Sequence, residues 1–319
     1  MGHSDDAYAT MLLTMALSPN RDEYARPLSV GEFRRFEAAA RASHFRCIGA
    51  LMDLDISGMM IYLDQTETEA YRAYTLMHRG VQLSYALESF AMQGIDVVTQ
   101  YDPDYPRRLT DKLGDGAPPF LYRAGTAATL DMPAVAIVGI SGVHTSPAAR
   151  ESVENLVRAA RRLGYAVIVG GEPGVCRLAE NGVAAGGGSL VVALGGDMRA
   201  YVAGDPIARM IGEGRAEILS TEHPDALLTV NHAIARNRLV FALADAAFIF
   251  NTDGRRGEAE AIQNHTCDWI YAWEGFDGNR PLIARGARPF GTLDAAAIDE
   301  ASRHWSSSSA RQMSMFDML

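Results

Sequence analysis

Cysteine is scarce. Three residues, Cys47, Cys176 and Cys267, are spread over 319 positions with no Cys-x-x-Cys pair, which excludes a disulfide framework and a thiolate zinc cage and predicts reduced, packed thiols. His265 and Cys267 read as ordinary residues at a helix end, so no metal is expected. No apolar run approaches the ~20 residues that span a bilayer. Asp5 and Asp6 stand where a signal peptide carries basic residues, which predicts mature sequence, a cytoplasmic protein and no membrane partner. Positive charge is also short: 29 Lys and Arg face 39 Asp and Glu, a net charge of −10. That excludes indiscriminate attraction to nucleic acid and leaves room only for a local basic site. There is no Gly-x-Ser-x-Gly elbow and no phosphate loop ending in Gly-Lys-Ser/Thr, and the first glycine turn does not follow Gly-x-Gly-x-x-Gly. These absences speak against an esterase-type serine and a dinucleotide site of the usual kind, and no cofactor is expected.

What is present points to a globular chain, 48% apolar and 21% charged, with one large domain and a smaller one. Residues 1–95 predict a helical N-terminal domain. "SVGEFRRFEAAARASHF" opens with Ser29 and, three residues on, Glu32, the pattern of a capping box, before apolar residues recur at helical spacing. "TETEAYRAYTLMHRGVQLSYALESFAMQG" extends the helical reading, broken near Gly80 and closed by Gly94. From Ile95 short apolar runs alternate with amphipathic stretches. "AVAIVG", "AVIVG", "LVVALG", "AEILS", "AAFIF" and "DWIYAW" read as strands; "PAARESVENLVRAARRLG" and "VNHAIARNRLVFALA" read as helices. Continuous apolar strands separated by helices predict an α/β fold, a Rossmann-like doubly wound parallel sheet over residues 96–275, with ligands at the carboxyl ends of its strands. Residues 276–310 are expected to be irregular with a serine-rich linker, and 311–319 to form a separate short peptide.

Three glycine-rich elements follow predicted strands. The first holds Gly139 and Ser141, whose turn can take an anion on its backbone amides. The second, "VGGEPGVCRLAENG", sets Gly170, Gly171 and Gly174 around Pro173 at a helix start, a geometry suited to a phosphate or a sugar. Glu172 within it suits a ribose hydroxyl or caps the helix. The third joins Arg236, Asn237 and Arg238 on a helix to Arg255 and Arg256, flanked by Gly254 and Gly257. Arginines two apart on a helix point to different faces. Glu258 and Glu260, just after Gly257, are the candidate acids.

In this order the pieces resemble the DNA-processing protein A (DprA/Smf) family. The resemblance rests on the family's "YP…L…PP.LY..G" run, here Tyr105, Pro106, Leu109, Pro118, Pro119, Leu121, Tyr122 and Gly125. It continues through "AVAIVG", the glycine-rich second turn, "LSTEHP" and "RNRLVFALADAAFIF". It implies a Rossmann-like fold, binding of single-stranded DNA, delivery of a recombinase onto it, a possible homo-oligomer, and site positions at Arg236, Asn237, Arg238 and Gly257. The family's Gly-Ser-Arg after the first strand is Gly139-Ile140-Ser141 here, so that arginine is absent. Its Gly-Ile-Asp is Gly174-Val175-Cys176. The second turn is also similar to that of the nucleotide phosphoribohydrolases of the LOG group. That likeness implies a nucleotide sensor, or a nucleoside-monophosphate N-glycosidic hydrolase with Glu260 and Arg238 as catalytic pair. Finally, "RQMSMFDML" resembles the peptide by which bacterial DNA-repair and replication proteins grip the sliding clamp. Gln312 is its polar anchor, and Met315 and Phe316 are its two apolar side chains.

Overall fold

A computed structural model describes residues 3–19, 23–140, 142, 146–254 and 257–316, with backbone alone at 127 and 306–316. The chain forms two compact units. One comprises Met1–Ala124 with the short segments Gly196–Arg199 and Ser220–Leu227, and the other takes Gly125–Gly195, Ala200–Leu219 and Leu228–Leu319.

The first unit carries helices Asp5–Thr14, Val30–Ala42, Ile56–Leu63, Glu67–Met77 and Gly80–Ala91. The capping box forms as the sequence predicts: Ser29 Oγ accepts from the Glu32 amide at 3.4 Å, and Glu32 Oε2 accepts from the Ser29 amide at 2.7 Å. Phe33, Phe36 and Ala40 then recur on one face and bury against Leu13, Ile48, Leu51, Met59 and Leu76. The break near Gly80 has a purpose. Arg79 leaves the helical path there and buries its guanidinium against the carboxyl end of the first helix. Its Nε and Nη2 donate to Leu12 O at 3.0 and 2.7 Å, and Nη2 donates to Met15 O at 2.5 Å. A cation at a helix carboxyl end satisfies orphan carbonyls and meets the negative end of the dipole.

The compact units divide the chain later than residue 95, because an antiparallel hairpin packs with the helices. Strands β1 (Asp96–Thr99) and β2 (Phe120–Gly125) pair Asp96 with Arg123 and Thr99 with Phe120. Phe90 meets the Tyr122 ring edge-on at 5.4 Å, and Tyr122 donates its hydroxyl proton to Ala16 O at 3.2 Å. Polar anchoring is equally strong. Glu37, 5% exposed, accepts from Arg34 Nη1 at 3.0 Å, Arg41 Nη2 at 2.8 Å, Gln100 Nε2 at 2.8 Å and Tyr101 OH at 2.5 Å. These bonds offset the cost of burying its charge.

The second unit is a Rossmann-like α/β fold. Its strands are β3 (Ala134–Gly139), β4 (Ala166–Val169), β5 (Leu190–Leu194), β6 (Ala216–Ser220), β7 (Ala246–Asn251), β8 (Trp269–Trp273) and β9 (Arg288–Phe290), in the order β6-β5-β4-β3-β7-β8-β9. The pairs β3–β4, β3–β7, β4–β5, β7–β8 and β8–β9 are parallel. From β3 the chain winds one way through β4, β5 and β6, then returns to place β7, β8 and β9 on the other side. With right-handed crossovers that reversal puts helices on both faces, and it sets a topological switch point between β3 and β7.

The stretch 276–310 is more ordered than its weak periodicity predicts. It holds the helix Arg280–Ala284, the strand β9 and the start of the helix Ala295–Phe316, whose backbone continues through the serine run. Aromatic packing explains this. Trp305, 1% exposed, donates from Nε1 to Tyr271 OH at 3.4 Å, and Tyr271 stacks on Phe248 at 4.7 Å. At the sheet margin Phe290 O accepts from the Glu274 amide at 2.9 Å, and Pro289 lies opposite Ala272. All three cysteines are free, and two of them, Cys176 and Cys267, are buried. Among the described residues no helix is long and apolar enough to cross a membrane.

Replacing the helix cap tests the first unit. Ser29→Ala is expected to lower stability by about 1 kcal/mol, read as a lower urea midpoint with unchanged slope. An unmoved midpoint removes the capping box from the account.

Candidate nucleic-acid interface

The carboxyl ends of β3, β4 and β7 bring Gly139, Gly170 and Asn251 to one edge of the second unit. Gly139 and Asn251 are register partners at the switch point, where the pairing shifts between Val138 and Gly139. Asn251 is 3% exposed, and its Oδ1 has no hydrogen-bond partner among the described residues. The sequence signal for it is slight: one polar residue ending an apolar run.

The turn after β4 is organised from a neighbouring helix. Thr229 caps Val230–Leu243 through its side chain, and this helix carries Arg236, 2% exposed. Arg236 Nη1 donates to Gly170 O at 3.2 Å, its Nε and Nη2 donate to Asn237 Oδ1 at 3.1 and 2.9 Å, and Glu172 lies 3.2 Å from Nη1. A Cβ at position 170 would stand 3.0 Å from Arg236 Nε and 3.1 Å from its Cζ. Glycine is therefore what admits the guanidinium. Glu172 pairs with this arginine, and the N-cap of the helix Val175–Gly186 is Gly174, at φ 102° and ψ −130°, with no side-chain capping bond. Only glycine adopts that backbone without strain. The first amides of this helix are thus left at the strand ends, where a dipole favours negative charge.

Beneath this turn, Cys176 packs with its Sγ 3.6 Å from Ile137 O, and burial pushes the thiol up to about 11. A thiol so raised is almost entirely protonated at neutral pH and is no nucleophile. Glu180, fully buried, accepts from Tyr201 OH at 2.7 Å and pairs with Arg177 at 2.7 Å. Burial raises its carboxyl above the ordinary range, opposed by the Tyr201 hydrogen bond and the Arg177 charge. Neither Glu180 nor Tyr201 stands out in the sequence, since each sits in an otherwise ordinary helix.

Arg236 and Arg238 have opposite fates, as their spacing requires. Arg236 and Asn237 are committed to the turn. Arg238 is 45% exposed and lies 3.9 Å from Glu260, itself 50% exposed. Gly257, at φ 88°, is the N-cap of the helix Glu258–Gln263, so Glu260 lies in that helix's first turn, and Glu258 is buried. Gly171, at φ 69°, completes the second turn. Ser141, Arg255 and Arg256 lie outside the described residues, as do the side chains of Gln312, Met315 and Phe316.

A match to the family described as DNA recombination-mediator protein A spans residues 96–295. The chain belongs to that family. Its fold is similar to that of DNA processing protein A from Streptococcus pneumoniae, at 20% identity and a TM-score of 0.56, covering 85% of this chain and 97% of that one. It is also similar to DNA processing protein A from Helicobacter pylori, a structure described for its single-stranded DNA binding mode. There the identity is 21% and the TM-score 0.52, covering 66% of this chain and 96% of that one. No curated protein matches the chain. The run that carries the family resemblance is structural here. Tyr105 donates its hydroxyl proton to Pro118 O at 2.5 Å, and Leu109, Leu121 and Tyr122 are buried.

The two arginines separate in a stability measurement. Arg236→Ala leaves Glu172 facing an emptied, largely buried space, and is expected to cost about 3–5 kcal/mol. Arg238→Ala is expected to stay within about 0.5 kcal/mol of the parent. Equal losses in urea titrations would show that Arg236 does not organise the turn.

Proposed function

We propose that the chain is a single-stranded DNA-binding recombination mediator that engages the strand at the carboxyl ends of β3, β4 and β7. What carries the reading is membership of a recombination-mediator family together with the glycine turns and open helix start at the sheet's switch point. In it Arg238 meets a phosphate, Arg236 and Asn237 hold the turn from Gly170 to Gly174, and the amides after Gly139 and Gly257 approach the backbone of the strand. With Ser141 where the family has arginine, the electrostatic share falls on fewer cations, and binding is expected to be only moderately dependent on salt. The strand is then handed to a recombinase, the exchange for which the family is named.

The pair Arg238–Glu260 decides between this reading and N-glycosidic hydrolysis of a nucleoside monophosphate. For strand binding, Glu260 competes with phosphate for Arg238. Glu260→Gln is therefore expected to tighten binding of an oligonucleotide several-fold at low salt, and Arg238→Ala to reduce the slope of log affinity against log salt by about 0.7. For hydrolysis, Glu260→Gln abolishes release of free base. Base release by the parent that vanishes in Glu260→Gln, with no strand binding, would overturn the mediator reading.

Recruitment to the sliding clamp through Gln312, Met315 and Phe316 belongs to the same reading, supported by the peptide pattern. Burial of two adjacent apolar side chains contributes about 1.5–3 kcal/mol each. Met315→Ala with Phe316→Ala is expected to abolish retention on immobilised clamp and leave oligonucleotide affinity unchanged. Absence of retention of the intact chain at roughly ten micromolar, an affinity near 7 kcal/mol, would dismiss the clamp as a partner.

A further inference from the structure

Positive charge at the strand ends is scarce and mostly committed. Arg236 is buried in the second glycine turn, and Arg238 has Glu260 within 3.9 Å. A third arginine lies beside the same turn. Arg177 is the third residue of the helix Val175–Gly186, and its side chain is 44% exposed. A cation in a first turn opposes the helix dipole, where an acid would be favoured. Local helix energetics therefore do not account for it.

A buried carboxylate fixes it in place. Glu180, one helical turn on, is fully buried, and its Oε2 lies 2.7 Å from Arg177 Nη1. The other oxygen, Oε1, accepts the Tyr201 hydroxyl proton at 2.7 Å. Tyr201 in turn lies beneath the guanidinium, with Arg177 Cζ 5.5 Å from its ring centre. The same ring packs on the turn: a Cβ at Gly171 would stand 3.5 Å from Tyr201 Cε2. Acid, phenol and guanidinium thus close a triangle that stands on Gly171. Neutralising Glu180 alone does not call for this layout, since an apolar pair often fills such a space with no loss of stability. Here the acid is enclosed while the cation is half in solvent. A guanidinium carries five N–H donors in a planar fork. Glu180 meets one nitrogen of Arg177, and among the described residues no other acceptor meets it. A planar cation so anchored, with the rest of its fork unclaimed, suits a phosphate oxyanion taken through parallel N–H bonds.

We propose that Arg177 contacts a phosphate of the bound strand, with Glu180 and Tyr201 as the positioning residues that hold its guanidinium beside the second glycine turn. The inference rests on the strand-binding reading and deepens it. It sets a second cation on the β5 side of the turn, since Leu194 of β5 also lies against Gly171. A phosphodiester and the phosphate of a free nucleotide share this chemistry.

Titration of the full chain with a fluorescent oligothymidylate at several salt concentrations tests it. Arg177→Ala is expected to reduce the slope of log affinity against log salt by about 0.7, and Arg177→Ala with Arg238→Ala by about 1.4. Arg177→Lys keeps the charge and is expected to restore the slope. Because Arg177→Ala leaves Glu180 buried without its cation, Arg177→Ala with Glu180→Gln is measured beside it, with the same loss of slope expected. Tyr201→Phe keeps the ring and every charge. It is expected to weaken binding about threefold at unchanged slope, and to have no further effect in the Arg177→Ala background. If Arg177→Ala with Glu180→Gln keeps the parent's slope while Arg238→Ala still lowers it, Arg177 is only the counter-ion of Glu180. The inference is then wrong and the sheet site survives. If that double variant loses affinity for thymidine monophosphate alone, the phosphate belongs to a free nucleotide and its assignment to the strand is overturned. If the parent binds no strand, the strand-binding reading fails and the role of Arg177 falls with it.

Discussion

Arg236 lies against the Gly170 carbonyl with Asn237 and Glu172 around it, and the shape of the second glycine turn depends on that placement. A guanidinium so deeply buried is stable only when its donors are matched, and the matching partners come from both sides: a carbonyl and a carboxylate from the turn, an amide oxygen from its own helix. The turn after β4 is in this way tied to the helix Val230–Leu243. The amides from Gly174 onward are consequently fixed relative to the ends of β3 and β7 before anything binds. A site so prepared loses little conformational freedom on binding. The positive charge that performs this task is unavailable to a ligand, so in the proposed reading the phosphate contact falls to Arg238.

Buried charge recurs in the first unit with two different outcomes. Glu37 is surrounded by four donors that join one helix to the segment after β1; it is a closed structural node. Arg79 caps a helix with two nitrogens, and its third is buried with no hydrogen-bond partner among the described residues. The same chemistry, a charge taken out of water, thus serves fixation in one place and leaves an unmet demand in the other.

Legibility in the sequence followed burial. The strands β3 to β8 are continuous apolar runs because neighbours cover them, and their limits fall within a residue or so of the runs read from composition alone. The hairpin is legible only as a motif: Asp96–Thr99 is too short for alternation to register, and "FLYRAG" shows only its family pattern. The strand β9 carries Arg and Pro in three residues, two of them exposed, and offers no periodic signal. Helical spacing separates Arg236 from Arg238 onto different faces but does not say which faces inward. That is settled by the missing side chain at Gly170, a contact between residues far apart in the chain. Asn251 and the third nitrogen of Arg79 are invisible for the same reason, since a hydrogen bond left unmade has no signature in one dimension. The tail is more helical than its composition suggests because Trp305, a single aromatic, anchors a helix that its serine-rich continuation disguises.

The shortness of β9 has a consequence for how the molecule behaves in a crowded solution. Phe290 turns its carbonyl toward β8, so by alternation Pro289 is the residue of this strand whose backbone faces away from the sheet. Proline has no amide hydrogen to offer. The outermost strand therefore presents no outward donor within its three residues, and a passing extended segment finds no ladder to continue. The margin of the sheet resists templated aggregation through one imino acid, without needing a covering helix or a row of lysines.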